Sequence, residues 1–404
     1  METTFNALTS PLRKYFELHS EQIDKASDSR KLKFAQFTLT MLYSLMMQKG
    51  SFRKISNHLK ISDTAKNLAL SYIPWTTLRD GFTRFDQRYF FNMYRYLLKN
   101  TKLLKVKALD EIGLVSLVDG SLFPTIINME WAEYKKTKNA IRLHLEFGLN
   151  QMIPLEFNGL AGNSSERHFL QKIVQKGVTY IADRGYFSFV IANIIAKAGA
   201  FFILRIKNNM KIEVGAVLAV SGNIPNCLNQ VKDELIRFTN DPHERVFRLI
   251  RFTVLGNQFQ IVTNRLELTT LEIVMLYAYR WQIELLFKFI KRFLLGIHLF
   301  NHSKNGVNIQ FCLLMILSVI YMSTKQFCKI TVANVKNQEN SEIPQMANLE
   351  DFNNFSCFDP EKWINSINTA FKGFWKISNY WLENLKDLID KPFDFQTINL
   401  LAES

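Results

Sequence analysis

A chain of 404 residues, 48% hydrophobic and 21% charged, is a globular protein of two to four domains with ample material for a core, and its 34 phenylalanines make that core aromatic. The net charge of +14 sits mainly in the first half, with 16 Lys and Arg against 8 Asp and Glu over 1–100 and 14 against 9 over 101–209, but 9 against 11 over 301–404; a phosphate backbone is one expected partner and a plain solubility charge is the other reading. Cys227, Cys312, Cys328 and Cys357 form no Cys-x-x-Cys pair and have no histidine at zinc-finger spacing, which argues against a structural zinc site and for a reduced, cytoplasmic compartment.

The N-terminal METTFNALTSPLRKYF lacks the apolar core of a signal peptide. Residues 1–100 read as helical, with apolar residues at helical spacing in FAQFTLTMLYSLMM and FFNMYRYLL. The basic stretch between them suits either a helix-turn-helix, with Lys66, Thr76, Thr77, Arg79 and Arg84 near DNA, or an ordinary bundle with a wet basic face. From residue 112 the texture changes to strands: IGLVSLVDGSLF, IRLHLEFGLN and MIPLEFNGLAG. There follow a helix capped by Ser165, the buried strand VTYIAD, the apolar helix FSFVIANIIAKAGA and the strand FFILRIK. Three strands followed by helix-strand units predict a mixed sheet with helices on its faces.

Residues 210–266 break that rhythm with four short strand candidates, a β-rich insertion too ordered to be a loop. One long helix is expected from about Thr270 to Leu295. Val307 to Met322 is very apolar but contains Asn308 and Gln310 and is short for a membrane span, so it reads as a buried helix. The polar 336–360 reads as a linker, and the rest, with Trp363, Trp375 and Trp381, as a helical closing segment.

Two aspartates close strands: Asp119 ends LVSLVD and Asp183 ends VTYIAD. Such carboxylates converge at one sheet edge, and with a third they suit Mg2+, which prefers hard oxygen ligands. Each also has a plainer reading: Asp119-Gly120 as a turn, and Asp183 paired with Arg184. On the helix, spacing at about 100° per residue puts Tyr277, Arg280, Glu284, Lys288 and Lys291 on one stripe about 80° wide, while apolar residues fill most of the remainder. Such a helix is mostly buried and opens one polar stripe, with Glu284 set to hold an ion and the bases to hold phosphate oxygens. A salt-bridge ladder of i,i+4 pairs is the alternative, which explains the greasy remaining faces poorly. His144, His168 and His298 are assigned core or surface roles, because metal-assisted hydrolysis needs no histidine base.

Tyr277, Arg280, Glu284 and Lys291 spell Tyr-x2-Arg-x3-Glu-x6-Lys, and this box, within YRWQIELLFKFIK, resembles that of the DDE transposases of the "insertion sequence four" family. VDGS around Asp119, ADRGY around Asp183 and the RIK and VTN segments are similar as well, over residues 110–325. The resemblance implies a ribonuclease-H-like core: a mixed five-stranded sheet flanked by helices and interrupted by the β-rich insertion. It divides the chain into a helical DNA-binding domain (1–108), the first part of the core (109–209), the insertion (210–268), the second part (269–330) and a helical C-terminal region (331–404).

It implies further that Asp119, Asp183 and Glu284 hold two Mg2+ ions, with Mn2+ able to substitute. Tyr277, Arg280, Lys288, Lys291, Arg205, Lys207 and Arg184 would contact DNA. The expected activity is cut-and-paste transposition by a cytoplasmic, nucleoid-associated bacterial enzyme, with a dimer holding two element ends and a target DNA, and with no membrane involved. Some relatives stack a flipped base on a tryptophan of the insertion; residues 210–270 contain none, so Phe247, Phe252 or Phe259 stacks instead or no base is trapped. The rival readings are a ribonuclease-H-like nuclease that cuts without joining and a transposase-derived DNA-binding protein without catalysis.

Overall fold

The computed structural model describes residues 2–29, 31–101, 106, 109–125, 129–135, 138–226, 228–254, 256–292 and 298–338. The closing segment with its three tryptophans, most of the polar 336–360 stretch, Cys227 and Cys357 lie outside the described residues. The chain forms two compact units, one with the described residues up to 101 and from 290 onward, the other with those from 106 to 289.

The first unit opens with α1 (Glu2–Ala26), α2 (Phe34–Met46), α3 (Phe52–Ile61), α4 (Asp63–Asn67), α5 (Trp75–Arg84) and α6 (Gln87–Asn100). Side-chain caps start three of them: Ser51 Oγ accepts from Lys54 N, Ser62 Oγ from Ala65 N and Asp86 Oδ1 from Arg88 N, satisfying amides that a helix's first turn leaves unpaired. Phe34, Phe37, Phe82, Phe85 and Phe90 are fully buried and pack edge-on or tilted, as the ring quadrupole favours. A side chain at Gly81 would meet the Phe37 ring at 2.6 Å, so this helical glycine is there for packing.

The second unit holds β1 (Leu114–Pro124), β2 (Glu133–Lys135), β3 (Lys138–Gly148), β4 (Ile153–Ala161), α7 (Glu166–Ile173), β5 (Val178–Ala182), α8 (Phe189–Lys197), β6 (Phe201–Arg205), β7 (Ile212–Leu218), β8 (Leu228–Phe238), β9 (Phe247–Val254), β10 (Asn257–Thr263), α9 (Thr270–Ala278) and the start of α10 (Trp281–Arg292). β1 pairs antiparallel with β3 and parallel with β5, and β5 pairs parallel with β6. Residues of α7 and α8, among them Leu170, Ile191 and Ile195, bury against Val118, Tyr180, Phe202 and Leu204 of the sheet.

The expected order of three strands, helix, strand, helix, strand is present, with the short β2 added. The sheet is larger than five strands. β10 pairs antiparallel with β6, and β9, β8 and β7 follow, giving the order β2-β3-β1-β5-β6-β10-β9-β8-β7 with β4 on β3. The physical reason is the edge of β6: unpaired, it would expose a row of amides and carbonyls, and Ile261 against Arg205 begins the pairing that covers it. The insertion strands therefore extend the core sheet.

The single helix expected from Thr270 to Leu295 is two helices, broken at Tyr279 and Arg280. No proline or glycine lies there; the backbone tightens, with Arg280 N, Gln282 N and Ile283 N each donating to the carbonyl three residues back. The first unit is completed by α11 (Lys304–Gln338), which packs on α6 and α2. Its stretch Lys304–Ser323 is long and apolar enough to cross a membrane but is buried inside the protein, as the reading of Val307–Met322 anticipated.

Candidate active site

Register places the two aspartates. Val118 on β1 is opposite Ala182 on the parallel β5, so Asp119 and Asp183 are the next residue on each of two adjacent strands, about 5 Å apart between backbones. There β5 stops and turns, with Tyr186 N donating to Asp183 O at 3.1 Å, but β1 continues to Pro124 because β3 still pairs with it, so Asp119 lies within its strand and does not close it as expected. Asp119 Oδ1 accepts from Gly120 N at 2.8 Å. Both aspartates are half-buried.

The segment carrying Glu284 is tied to the strand ends by side chains. Tyr277, fully buried, donates its hydroxyl to Asp183 Oδ1 at 3.2 Å. Arg205 Nη1 lies 3.8 Å from the same Asp183 oxygen, and its guanidinium covers the Phe259 ring at 4.3 Å. Arg280 Nη1 pairs with Glu284 Oε1 at 2.7 Å, and the arginine is only 3% exposed. The start of α9 is fixed from the insertion. Thr270 Oγ1 donates to Asp233 Oδ2 at 2.7 Å, Arg248 holds the same buried carboxylate at 2.6 Å, and Thr269 and Glu272 form a capping box. The insertion thus anchors the helix that brings Tyr277 to Asp183.

Burial pushes the Asp119 carboxyl up to about 7; Arg280 and Gly120 N oppose that rise, and Glu284 and Glu166 add to it. Burial pulls the Arg280 guanidinium down, but Tyr277, Glu284, Asp119 and Asp183 together hold it above its ordinary value. One buried cation therefore feels all three carboxylates. Of residues 281–290 on α10, only Glu284 and Lys288 escape full burial; of the polar stripe expected from the spacing, Tyr277 and Arg280 lie before α10 and are buried, because the helix breaks between them and Glu284.

Among the described residues no three acidic, histidine or cysteine side chains stand close enough to hold one metal ion. The donor set nevertheless fits a hard divalent cation. It supplies carboxylate oxygens on two adjacent strands, Asp183 at the end of one and Asp119 within the other, a third carboxylate held by an arginine, and an Asp119 whose affinity for a proton burial raises. Arg280 Nε and Tyr186 Oη, both buried, find no hydrogen-bond partner among the described residues.

The remaining expected residues fall in different places. Lys288 is exposed, with its ammonium 4.0 Å from the Trp281 ring centroid; Arg184 and Lys207 are exposed; Lys291 is half-buried further along α10. Phe247, Phe252 and Phe259 are all buried, the last two stacked on each other at 5.2 Å, so none of the three offers a free face to a base here. In the first unit Lys66 pairs with Asp63 at 3.0 Å and Arg84 donates to Asp28 O at 2.8 Å, while Arg79 lies over the Trp75 ring at 5.7 Å. Thr76 and Thr77 are half-buried. His144 is fully buried, its Nε2 2.9 Å from Ser164 Oγ, and burial together with Arg142 lowers it to about 4; His168 and His298 are exposed.

Three residues that the motifs did not assign belong to this neighbourhood: Arg142 on β3, Glu166 at the start of α7, and Tyr186. Arg142 Nη1 pairs closely with Glu166 Oε1, and its Nε donates to Gly162 O at 3.2 Å. The Glu166 carboxylate also lies hard against Gly185, two residues past Asp183. The one sequence signal was Tyr186's place in ADRGY; nothing local marks Arg142 or Glu166.

The family described as "Transposase DDE domain" matches residues 112–320, just over half of the chain. A protein named as a transposase in Sinorhizobium fredii is 25% identical over 225 residues, 54% of this chain and 63% of its own length. One named as a transposase for an insertion sequence element of Geobacillus stearothermophilus is 20% identical over 214 residues, 51% of this chain and 56% of that one. One named likewise in Synechocystis is 27% identical over 173 residues, 42% and 47% of the two lengths. The chain thus spans about half to somewhat under two thirds of these curated relatives.

Proposed function

The chain belongs to the transposase DDE domain family, and from that premise we propose that it binds the ends of an insertion sequence, cuts them by metal-dependent hydrolysis and joins them to target DNA, with Asp119, Asp183 and Glu284 as its metal-holding carboxylates. The observation that carries this reading is the pairing of Val118 with Ala182, which sets the two aspartates side by side, together with the Tyr277 and Arg280 contacts that bring the Glu284 segment to them. The strand order β4-β3-β1-β5-β6, antiparallel on one side of β1 and parallel on the other, supports a ribonuclease-H-like core.

Two Mg2+ ions held by the three carboxylates would supply a water of lowered pKa and neutralise charge at the scissile phosphate. The chain's own residues do the rest. Tyr277 and Arg205 hold Asp183 in one orientation. Arg280 balances the acidic cluster, and Lys288, with Lys291 further along the helix, supplies cations for backbone phosphates. Arg184 and Lys207, exposed near the ends of β5 and β6, extend that basic track. A water oxygen attacks phosphorus and the P–O3′ bond breaks, leaving a 3′ hydroxyl. That hydroxyl then attacks a target phosphodiester and releases a target 3′ hydroxyl. Two ends must meet for this, so the assembly is a dimer on DNA, and the bacterial cytoplasm is where its substrate lies.

The test incubates the protein with Mg2+, element-end DNA and a target plasmid. Joined products are expected. Cutting without joining would make it a nuclease, and DNA binding with neither step would make it a DNA-binding derivative. Loss of both steps in Asp183→Ala ties the chemistry to this site.

A further inference from the structure

We infer that Tyr186 is a positioning residue of this site, its phenol hydroxyl serving as the donor that holds the Asp119 carboxyl in place as the carboxylates gather around their cation. The inference rests on the assignment of Asp119 and Asp183 made above.

Tyr186 is 1% exposed, and its hydroxyl has no hydrogen-bond partner among the described residues. Leaving such a group unsatisfied is unfavourable, because it has given up its hydrogen bonds to water for none in the protein. A phenylalanine would fill the same space with no orphaned oxygen, so the tyrosine calls for a ligand. Several contacts locate it. Its amide closes the turn on Asp183 O. Its neighbour Gly185 abuts the Glu166 carboxylate, which pairs with Arg142. Arg142 in turn lies along β1, its Cδ 3.4 Å from where a Gly120 Cβ would stand. This chain of contacts leads from Tyr186 back to the residue after Asp119.

The electrostatics agree with that path. Burial, then Asp119, Glu166 and Asp183, push the phenol well above its usual range, against Arg142. A neutral hydroxyl among these acids can only donate usefully to them or to a water they hold. Asp119 already takes one backbone N–H at Oδ1. A second donor would lock the plane of its carboxyl, as outer partners do for the groups that bind metal ions. Arg142 is committed to Glu166 and Gly162 O, Arg280 is paired with Glu284, and the phenol keeps a hydrogen to donate.

Mn2+ alone, titrated calorimetrically into full-length wild type, Tyr186→Phe and Asp183→Asn, tests this. Outer partners of bound metals are typically worth 10–100-fold in affinity. Tyr186→Phe is expected to weaken Mn2+ binding by about that factor while its metal-free Tm stays equal to or above wild type. If Tyr186→Phe binds Mn2+ as wild type does while Asp183→Asn has lost binding, the Tyr186 assignment is overturned and the triad stands. A metal-free Tm several degrees lower in Tyr186→Phe also overturns it, because the hydroxyl then serves the fold alone. If wild type fails to bind, or Asp183→Asn binds equally well, the triad reading falls and this inference falls with it.

Discussion

Tyr277 and Asp183 are joined by a hydrogen bond of 3.2 Å across 94 residues of chain. It links the first helix after the insertion to the strand end that precedes it. The bond is to a carboxylate and is nearly enclosed, a setting in which hydrogen bonds are worth about 1.5–3 kcal/mol. Tyr277→Phe keeps the ring and its edge contact with Phe259 and removes only the donor. We expect DNA cleavage to fall roughly 10- to 100-fold with a Tm shift of only a few degrees, measured by single-turnover cleavage and thermal melting. An unchanged cleavage rate would show that Asp183 needs no such tether.

Arg280 is the buried cation among three acids, and its removal leaves their charge uncompensated. Breaking a buried pair by deleting one partner destabilises by about 3–5 kcal/mol; because the Glu284 side chain keeps 26% exposure, we expect Arg280→Met to fall at the low end. Arg280→Met with Glu284→Met is expected to recover most of that loss. Urea unfolding of the single and double variants measures the coupling, and simple addition of two losses would refute it.

Two groups give stability terms of opposite sign with pH. His144 has a folded pKa of about 4, below its unfolded value, so the unfolded chain takes up a proton first as pH falls. Its contribution is intact above the unfolded value near 6.5 and is lost as pH drops toward 4, by an amount of about 3 kcal/mol. Asp119 lies the other way: its folded pKa of about 7 exceeds the unfolded carboxylate value, so the metal-free protein loses stability from this group as pH rises from about 4 to 7. His144→Phe should therefore flatten the acid side of the stability profile, and Asp119→Asn should stabilise the metal-free protein above pH 7. Chemical denaturation between pH 4 and 8 reads both, and parallel curves for wild type and variants would contradict them.

Gly185 has no room for a side chain while Glu166 is held by Arg142. Gly185→Ala must push the far end of the glutamate side chain, and with it the pairing to Arg142, away from the turn that carries Asp183. Reduced cleavage is expected for Gly185→Ala, and restoration toward wild type for Gly185→Ala with Glu166→Ala. Equal defects in the single and double variants would mean that Glu166 is not the obstacle.

Asp183 was legible because a buried parallel strand is a short, largely apolar run and VTYIAD ends on its first charged residue; Asp119 is likewise the first charged residue of LVSLVD, but its strand runs on past it to Pro124. The polar stripe of α10 was legible for the same local reason, since helical period alone selects Glu284 and Lys288 from apolar neighbours. The break at Tyr279 and Arg280 was not, because no glycine or proline marks it and Arg280 is committed to distant charges. Arg142, Glu166 and the orphaned hydroxyl of Tyr186 were equally hidden: each matters only through groups on other strands.

From the chain alone came what local chemistry dictates: which segments are strands or helices, that Asp183 follows the end of a buried strand, and which face of α10 is polar. Only the tertiary structure decided that the insertion continues the sheet from β6, that Asp119 and Asp183 share a register, and that Arg280 sits among the acids. Periodicity is written into neighbouring residues, whereas strand partners and buried charge balance depend on residues tens of positions apart, whose pairing is settled by covering exposed edges and compensating charge away from water.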